Sequence, residues 1–558
     1  MTAPPAEELL AVDGLTVRFA GQDQAAVSQI SLRVTAGETV ALVGESGSGK
    51  TLTARATLGL LPAGAEQQSG RVRLLGEAAP PPGSPAWRRL RGRVLALVQQ
   101  DPMTALDPLR TLLAEVGDPV RLHERPGRHE LRSRVTEALS DAGIESAATR
   151  LTSRPDELSG GQRQRALIAS ALILGPRLII ADEPTTALDS ALRRRVLALL
   201  TDRVAAGAGL LLVSHDLASV AEVADRVLVM RGGRIVESGS PAEVLGAPQQ
   251  RYTRDLIATV PWDRPRGARL LPAPVTTDAA ARVTARPASP ASGDPALSAR
   301  EVTVRYGRGR AAHTAVDRVS LELLPGQTLG LVGASGSGKS SLLGALLALR
   351  RPQGGEVRLF GEPWLELPER RRAPLRHRIA LVPQDPLGSF DPRLTGAGVL
   401  HDALRARHRS GGLRPSQARA DALAERVGLD PALLARSPAR LSGGQRQRLA
   451  IARALAGAPD VLLLDEPVSA LDATVQARVL DLLDTIQVDT GAAFLLVSHD
   501  LGVIRHMSDR VAVLDAGQIV DEGNTREIID RSTHPVTARL REAAPRLSIP
   551  GPGPAGHR

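Results

Sequence analysis

The residues best suited to chemistry in this chain are its two lysines. Of 70 Lys and Arg residues, only Lys50 and Lys339 are lysine. Each closes the same glycine-rich pattern, Gly44-Glu-Ser-Gly-Ser-Gly-Lys50-Thr51 and Gly333-Ala-Ser-Gly-Ser-Gly-Lys339-Ser340. Glycines at these spacings let backbone N–H groups turn inward around an anion, and a compact ammonium fits such a cradle where a planar guanidinium would overfill it. The pattern predicts two phosphate-binding loops, each opening a helix.

Nucleoside triphosphate and Mg²⁺ are the ligands that this loop pattern favours. The lysines would reach the β- and γ-phosphates, and the hydroxyl that follows each lysine would bind Mg²⁺. The predicted ATP-binding residues are Gly44, Glu45, Ser46, Gly47, Ser48, Gly49, Lys50 and Thr51 in the first loop, and Gly333, Ala334, Ser335, Gly336, Ser337, Gly338, Lys339 and Ser340 in the second.

A pair of adjacent carboxylates ends an apolar strand in each half of the chain. Asp182 and Asp465 occupy the position of a carboxylate that holds Mg²⁺ through water, so they join Thr51 and Ser340 as metal candidates. Glu183 and Glu466 follow directly, and a carboxylate there can orient and deprotonate the water that attacks the γ-phosphate. A purely structural ion pair is the alternative for such acids, but a phosphate loop upstream disfavours it.

Two further polar groups follow strands in both halves. His215 and His499 come after strands ending at Val213 and Val497, and we expect them to contact the γ-phosphate. Gln100 and Gln384 come after the strands 94–98 and 379–382, where an amide could touch both Mg²⁺ and the attacking water.

A second anion-binding element is the repeated pentapeptide Leu-Ser-Gly-Gly-Gln. Its serine suits a helix N-cap, and its glycines leave backbone N–H groups accessible. It lies more than 100 residues from the phosphate loop of its own half, so it is predicted to serve a different nucleotide. The signature residues are Ser159, Gly160, Gly161 and Gln162, then Ser442, Gly443, Gly444 and Gln445.

These motifs recur in the same order at a nearly constant offset, which indicates a duplicated domain. We predict a first domain at 1–260, a Pro/Ala-rich linker at 261–295, a second domain at 296–545 and a disordered tail at 546–558. Short buried strands such as 39–43, 178–181 and 210–213, with 461–464 and 494–497, alternate with amphipathic stretches. This pattern predicts an α/β fold around a mainly parallel sheet. The polar segments 110–157 and 393–440 are expected to form inserted helical subdomains.

Composition excludes several classes of function. The chain has no cysteine, so it carries no disulfide, thiolate metal site or cysteine-ligated iron–sulfur cluster. The net charge is +10, but the arginines are scattered without interleaved aromatic residues, so nucleic acid is not an expected partner. No apolar run approaches the roughly 20 residues of a membrane-spanning helix, and the N-terminus lacks a signal-peptide pattern.

Together these residues resemble the ATP-binding-cassette (ABC) superfamily, most specifically through Leu-Ser-Gly-Gly-Gln. The resemblance implies two nucleotide-binding domains, each with a parallel-sheet core, an antiparallel β subdomain and a helical subdomain. It implies a head-to-tail pair sandwiching two ATPs, one between Lys50 and the signature Ser442 and Gly444, the other between Lys339 and Ser159 and Gly161. It also implies adenine stacking on Phe19 and Tyr306, and coupling of the sites through Asp189 and Asp472.

Other segments are similar to the peptide/nickel importer ATPases of this superfamily. They are Asp101-Pro-Met-Thr-Ala-Leu-Asp-Pro108, Ala181-Asp-Glu-Pro-Thr-Thr-Ala-Leu-Asp189, the post-cassette Arg251-Tyr-Thr-Arg-Asp-Leu256 and His534-Pro-Val-Thr537, where Val536 departs from the family's tyrosine. Some relatives bind an iron–sulfur cluster in this tail, which the absence of cysteine excludes here. Fused tandem forms of these ATPases have the same layout.

The resemblance implies two transmembrane permeases and an extracytoplasmic solute-binding protein as partners, with this chain on the cytoplasmic face of the membrane. The solute stays open among dipeptides, oligopeptides, nickel, metal chelates and glutathione. A soluble tandem cassette acting on ribosomes and an exporter ATPase are the alternatives. The Pro/Ala-rich linker disfavours the first and the tail motifs disfavour the second.

Overall fold

The computed structural model describes residues 7–99, 105–185, 188, 190–262, 264–271, 294–307, 313–412, 414–469, 471–544 and 546–547. The chain divides into two compact units, and the boundary falls between Ile257 and Ala258. Most of the predicted linker and tail, Gln100 and Asp189 lie outside the described residues.

The first unit contains an antiparallel sheet and a mainly parallel sheet, as predicted. The antiparallel sheet has the order β2-β1-β4-β5, and the larger sheet has the order β10-β9-β3-β8-β7-β6. Only β10 pairs antiparallel in the larger sheet. The strands are β1 Glu8–Phe19, β2 Val27–Thr35, β3 Thr39–Val43, β4 Ala65–Leu74, β5 Glu77–Ala78, β6 Leu95–Val98, β7 Leu178–Asp182, β8 Gly209–Val213, β9 Arg226–Arg231 and β10 Arg234–Gly239.

The central strands of this sheet are apolar on both faces because both faces are covered. Every residue of β3, β7 and β8 is buried, which is typical of parallel strands flanked by other layers. Such strands carry polar groups only at their ends, so the carboxyl edge of the sheet collects the polar residues of the motifs.

Helices surround this sheet and form the predicted helical insertion. The insertion buries its own apolar cluster, which includes Leu112, Val116, Leu131 and Val135. The described helices are Lys50–Thr57, Ala86–Leu90, Leu112–His123, Arg128–Asp141, Ala147–Arg150, Gly160–Leu172, Ser190–Ala205, Leu217–Val223 and Arg251–Ala258, with short turns at Pro155–Glu157 and Ala242–Gly246.

The second unit repeats this architecture. Its antiparallel sheet has the order β12-β11-β14-β15 and its larger sheet the order β16-β17-β18-β13-β19-β20. The strands are β11 Leu297–Tyr306, β12 His313–Leu323, β13 Thr328–Val332, β14 Gly354–Leu359, β15 Glu362–Pro363, β16 Ile379–Val382, β17 Val461–Asp465, β18 Ala493–Val497, β19 Arg510–Asp515 and β20 Gln518–Asn524.

The helical insertion of the second unit shares one apolar cluster with the sheet, which includes Leu400, Leu449 and Leu464. None of the helices in the described residues is long and apolar enough to cross a membrane. The helices are Lys339–Leu346, Glu369–Arg372, Gly396–Arg409, Gln417–Arg426, Gly443–Leu455, Ala473–Thr490, Leu501–Met507, Thr525–Arg531 and Pro535–Ala543, with short turns at Ala373–Arg378, Leu387–Ser389, Pro431–Ala435 and Pro438–Arg440.

The start of the proline-rich segment packs on the second unit. Trp262 and Leu270 are buried in its apolar cluster. The Arg266 guanidinium pairs with Asp509 at 3.0 Å and donates to Thr328 Oγ1 at 3.2 Å and Gln487 Oε1 at 3.1 Å. The described residues 264–271 of the predicted linker are therefore anchored to the second unit.

Candidate active sites

The first phosphate loop joins β3 to the helix Lys50–Thr57, and two of its positions require glycine. Gly44 has φ 147° and Gly49 has φ 99°, where residues with a Cβ are strained. A Cβ on Gly44 would lie 2.2 Å from the Met230 carbonyl oxygen, and one on Gly49 would lie 2.9 Å from that of Ala26. Neighbouring backbone therefore leaves no room for a side chain, and the loop can close around a phosphate.

The second loop, between β13 and the helix Lys339–Leu346, is built in the same way. A Cβ on Gly333 would lie 2.2 Å from the Leu514 carbonyl oxygen, and one on Gly338 would lie 2.1 Å from that of Ala315. Gly338 has φ 106°. Both halves of the chain thus contain a cradle that only glycine permits.

Both lysines lie folded back on their own loops. Lys50 Nζ donates to the carbonyl oxygens of Gly44 and Glu45, each at 2.8 Å. Lys339 Nζ donates to those of Gly333 and Ala334, also at 2.8 Å. The two side chains are only 6% and 8% exposed. Each ammonium is therefore held inside its loop, within reach of a phosphate bound there.

The aspartate that ends β7 is buried beside the first loop, and the aspartate that ends β17 is half-buried beside the second. Thr51 Oγ1 donates to Asp182 Oδ1 at 3.0 Å, which joins residues from the loop helix and the strand end. Burial raises the pKa of Asp182, although the Thr51 hydrogen bond opposes this. Burial and the neighbouring charge of Glu466 raise the pKa of Asp465 to about 6. Such carboxylates ionise more readily beside a cation.

The donors here are oxygen atoms, which suit Mg²⁺. Within the described residues there is no cluster of three or more His, Cys, Asp and Glu side chains that could hold a metal by itself. One hydroxyl and one carboxylate leave most coordination positions for water and phosphate, as Mg²⁺ sites at phosphates usually do. The residues present therefore fit a nucleotide-dependent Mg²⁺ ion.

The glutamates that follow these aspartates have an unusual backbone. Glu183 has φ 49° and Glu466 has φ 46°, a left-handed conformation that is uncommon for residues other than glycine. Each N–H donates to the carbonyl of the neighbouring strand, to Val213 for Glu183 and to Val497 for Glu466, at 2.9 Å. The strained turn is thus tied to the sheet, and strain of this kind clusters at functional sites.

Each glutamate pairs with the predicted histidine of its own unit. The distance from His215 Nδ1 to Glu183 Oε2 is 3.2 Å, and that from His499 Nδ1 to Glu466 Oε1 is also 3.2 Å. Burial opposes charging of the His215 ring, but the hydrogen bond and charge of Glu183 outweigh burial and raise the pKa of His215. Burial would raise the pKa of Glu466, but the hydrogen bond and charge of His499 dominate and lower it. Glu466 is therefore ionised at neutral pH, as a base must be.

Gln384 joins this group in the second unit. Its Nε2 donates to Glu466 Oε2 at 3.0 Å, so the structure brings together Gln384, Glu466 and His499. The equivalent Gln100 lies outside the described residues. Asp216 and Asp500 cap the helices after the two histidines, and Arg193 pairs with Asp216 at 3.0 Å. These caps, to which sequence reasoning gave no role, fix the backbone beside each histidine.

The two signature segments open helices, as predicted. Ser159 caps the helix Gly160–Leu172, with Gln162 bonding back to the Ser159 N–H at 3.0 Å. Ser442 and Gln445 form the same reciprocal cap at 2.9 Å. A Cβ on Gly444 would lie 2.4 Å from Val475 Cγ1, so this glycine allows close packing. Both serines are exposed, which leaves these helix N-termini open to an anion.

The remaining predicted residues are the two aromatic residues proposed to stack on adenine and the two aspartates proposed to couple the sites. Tyr306 ends β11, and its hydroxyl lies 3.0 Å from Ser341 Oγ, two residues beyond Lys339, while Arg350 lies over its ring at 4.3 Å. Phe19 ends β1 and is half-buried. Asp472 caps the helix Ala473–Thr490, whereas Asp189 lies outside the described residues.

One contact at the first loop involves a residue that the sequence marked only as part of a tail motif. The Tyr252 hydroxyl accepts a hydrogen bond from the Glu45 N–H at 2.9 Å. The motif Arg251-Tyr-Thr-Arg marked this segment in the sequence. Tyr252 and Glu45 are 207 residues apart, so the sequence alone did not predict that they are in contact.

Comparison with known proteins agrees with this geometry. A sequence model of the ABC transporter family matches residues 27–186 and 316–469, one match in each unit. The chain belongs to the ABC transporter family. It is therefore an ATP-binding, ATP-hydrolysing protein with two fused cassettes, and the predicted resemblance is confirmed.

Near-full-length relatives share this tandem layout. The chain is 39% identical to the oligopeptide transport ATP-binding protein OppD of Mycobacterium bovis, over 98% of this chain and 99% of the relative. It is 39% identical to the glutathione import ATP-binding protein GsiA of Escherichia coli K12, over 97% of this chain and 90% of the relative. It is also 39% identical to the uncharacterized ABC transporter ATP-binding protein YejF of the same strain, over 96% and 99%.

Proposed function

We propose that this ABC ATPase energises an importer for peptides or a related small solute such as glutathione. The observation that carries the proposal is the duplicated site, in which both units contain a glycine cradle, a folded-back lysine and a histidine-paired glutamate. Both sites are therefore equipped for hydrolysis. Near-full-length likeness to proteins named for oligopeptide transport and glutathione import supports the class of solute.

In the proposed mechanism each loop binds the phosphates of one ATP. Lys50 and Lys339 donate from within their loops to the β- and γ-phosphate oxygens, which as charged acceptors bind an ammonium more strongly than neutral ones do. Thr51 with Asp182, and Ser340 with Asp465, hold Mg²⁺, which neutralises phosphate charge when bound. Phe19 and Tyr306 stack on the adenines.

The glutamates act on the water that attacks the γ-phosphate. Glu183 and Glu466 accept its proton, and Gln100 and Gln384 orient it. His215 and His499 hold the glutamates and contact the γ-phosphate. The pairing at 3.2 Å in both units supports this division of roles.

We propose that the two cassettes pair head to tail in the ATP-bound state. The signature of each unit, Ser159 to Gln162 and Ser442 to Gln445, would then bind the ATP held by the loop of the other. The exposed, serine-capped helix N-termini support a phosphate as their ligand. Closure by ATP and reopening after hydrolysis would supply the two states that a transporter needs.

The proposed partners are two permeases in the membrane and an extracytoplasmic solute-binding protein, with this chain bound at the cytoplasmic face. Leu122 in the helical insertion of the first unit is 80% exposed, and Leu109, just before that insertion, is 77% exposed. We propose these two positions as points of contact with a permease.

A tagged full-length chain, recovered from detergent-solubilised native membranes, tests the partnership. Two multi-spanning permeases and a solute-binding protein, identified by mass spectrometry, are the expected partners. A Leu109→Glu/Leu122→Glu variant should recover less permease while keeping its ATPase activity. Recovery of ribosomal proteins without permeases would refute the importer role and leave the ATPase activity untouched.

A further inference from the structure

The last helix of the first unit, Arg251–Ala258, touches the first phosphate loop through Tyr252. The tyrosine hydroxyl accepts from the Glu45 N–H at 2.9 Å, and Arg231 lies over the ring at 4.9 Å. Glu45 lies in the loop between β3 and the helix Lys50–Thr57, so its N–H takes part in no strand or helix hydrogen bond. The Tyr252 side chain supplies the acceptor instead.

The helix that carries Tyr252 is held firmly in place. Glu237 on β10 accepts from the Gln249 N–H at 2.7 Å and the Gln250 N–H at 3.2 Å, and it also accepts from the Thr253 hydroxyl. Burial would raise the pKa of Glu237, but these hydrogen bonds outweigh it and lower the pKa. Glu237 on β10 thus ties the start of this helix, and with it the tyrosine, to the sheet that contains β3 and leads into the loop.

The peptide group that joins Gly44 to Glu45 is held on both sides. Its N–H, that of Glu45, donates to Tyr252, and its carbonyl, that of Gly44, accepts from Lys50 Nζ at 2.8 Å. Tyr252 therefore determines the orientation of the peptide that holds the phosphate-binding lysine. Loss of the hydroxyl would free this peptide to rotate and would leave Lys50 with one fixed carbonyl fewer.

The second unit keeps the helix but not the hydroxyl. Thr537 donates to Asp521 on β20 at 2.6 Å, just as Thr253 donates to Glu237. Val536 occupies the place of Tyr252 and packs against the apolar cluster of this unit. Valine offers no acceptor to the Ala334 N–H, so the two phosphate loops are supported differently.

We propose that Tyr252 is a positioning residue that orients the Gly44–Glu45 peptide group, and through it Lys50, for nucleotide binding. The first ATP site is thereby tighter than it would be without the hydroxyl. The second site lacks this support. The proposal deepens the assignment of both loops as ATP sites and rests on it.

The test measures binding of a fluorescent ATP analogue with Mg²⁺ to the full chain. In a Lys339→Ala background, which reports the first site, Tyr252→Phe should raise Kd by about three- to tenfold, the effect of one lost hydrogen bond. The phenylalanine keeps the ring under Arg231. In a Lys50→Ala background, the matched Val536→Ala change should leave the Kd of the second site unchanged.

A raised Kd with an unchanged thermal melt, and a raised KM for ATP with unchanged kcat, supports positioning by the hydroxyl. An unchanged Kd in Tyr252→Phe, or a raised Kd that appears only together with a lowered melting temperature, overturns the proposal. If neither lysine variant weakens binding relative to the parent chain, the ATP-site assignment itself fails, whatever Tyr252→Phe does.

Discussion

Replacing both proposed catalytic bases by their amides is the sharpest perturbation of the two sites. Glu183→Gln with Glu466→Gln keeps side-chain size and leaves an oxygen that can still accept from His215 and His499. It removes the negative charge and the ability to take a proton from water. The backbone at these positions is left-handed, with φ 49° and 46°, and glutamine tolerates this conformation as well as glutamate does. Folding should therefore be unaffected.

The expected loss follows from general-base catalysis. A positioned base contributes roughly 10²- to 10⁴-fold to a rate, or about 3–5 kcal/mol of barrier. In the second unit the Glu466 carboxylate is ionised and accepts from both His499 and Gln384, so the whole contribution should disappear. ATP binding depends on the loops and lysines, and it should be unchanged or stronger because the bound state is no longer consumed.

Phosphate release measures turnover, and a fluorescent ATP analogue measures binding. The double variant should bind ATP and release phosphate at least about 100-fold more slowly. Glu369→Gln, which weakens the pairings of an exposed glutamate with Arg372 and Arg376, is the matched control and should hydrolyse normally. Phosphate release at the parental rate in the double variant would show that neither glutamate is the base.

Three further changes test other parts of the reasoning. Lys50→Ala should weaken ATP binding at the first site by about 10- to 100-fold, since it removes a charged hydrogen-bond donor. An unchanged Kd for the fluorescent ATP analogue would show that Lys50 does not bind phosphate. Gly338→Ala should cost roughly 3 kcal/mol in a denaturant melt because its Cβ would lie 2.1 Å from a carbonyl oxygen. Gly336→Ala, whose Cβ meets nothing within 4 Å, should cost about 1 kcal/mol, and equal costs would contradict the clash. Arg266→Ala should lower the free energy of unfolding of the second unit by about 2 kcal/mol. Replacing the exposed Arg269 by alanine should change it by less than about 0.5 kcal/mol. Equal free energies of unfolding for the two variants would show that Arg266 does not anchor the segment.

The parts of the fold that sequence reasoning predicted are those encoded by contiguous residues. Strands such as 39–43, apart from Thr39 at its start, and 461–464 are apolar because both faces of a parallel sheet are covered. The structure has them within one residue. The serine caps of the signature helices were predictable in the same way, since Ser and Gln three residues apart satisfy each other's neighbouring backbone groups.

Tertiary structure decided the contacts between residues far apart in the chain. The left-handed turns at Glu183 and Glu466 arise because their N–H groups bond to the next strand, which no local propensity for glutamate would favour. The segment 264–271 is anchored on the second unit by contacts with Asp509 and Gln487. These partners lie more than 200 residues away in the sequence, so the composition of the segment predicted only a linker.

The sequence by itself determined that the chain has two phosphate loops, two strand-end carboxylate pairs and two signature helices, because each motif is a short run whose backbone needs are local. Only the tertiary structure decided that Tyr252 supports one loop and Val536 does not support the other. That contact joins residues 207 positions apart, and it forms only once the sheet has brought β3 and the end of the first unit together.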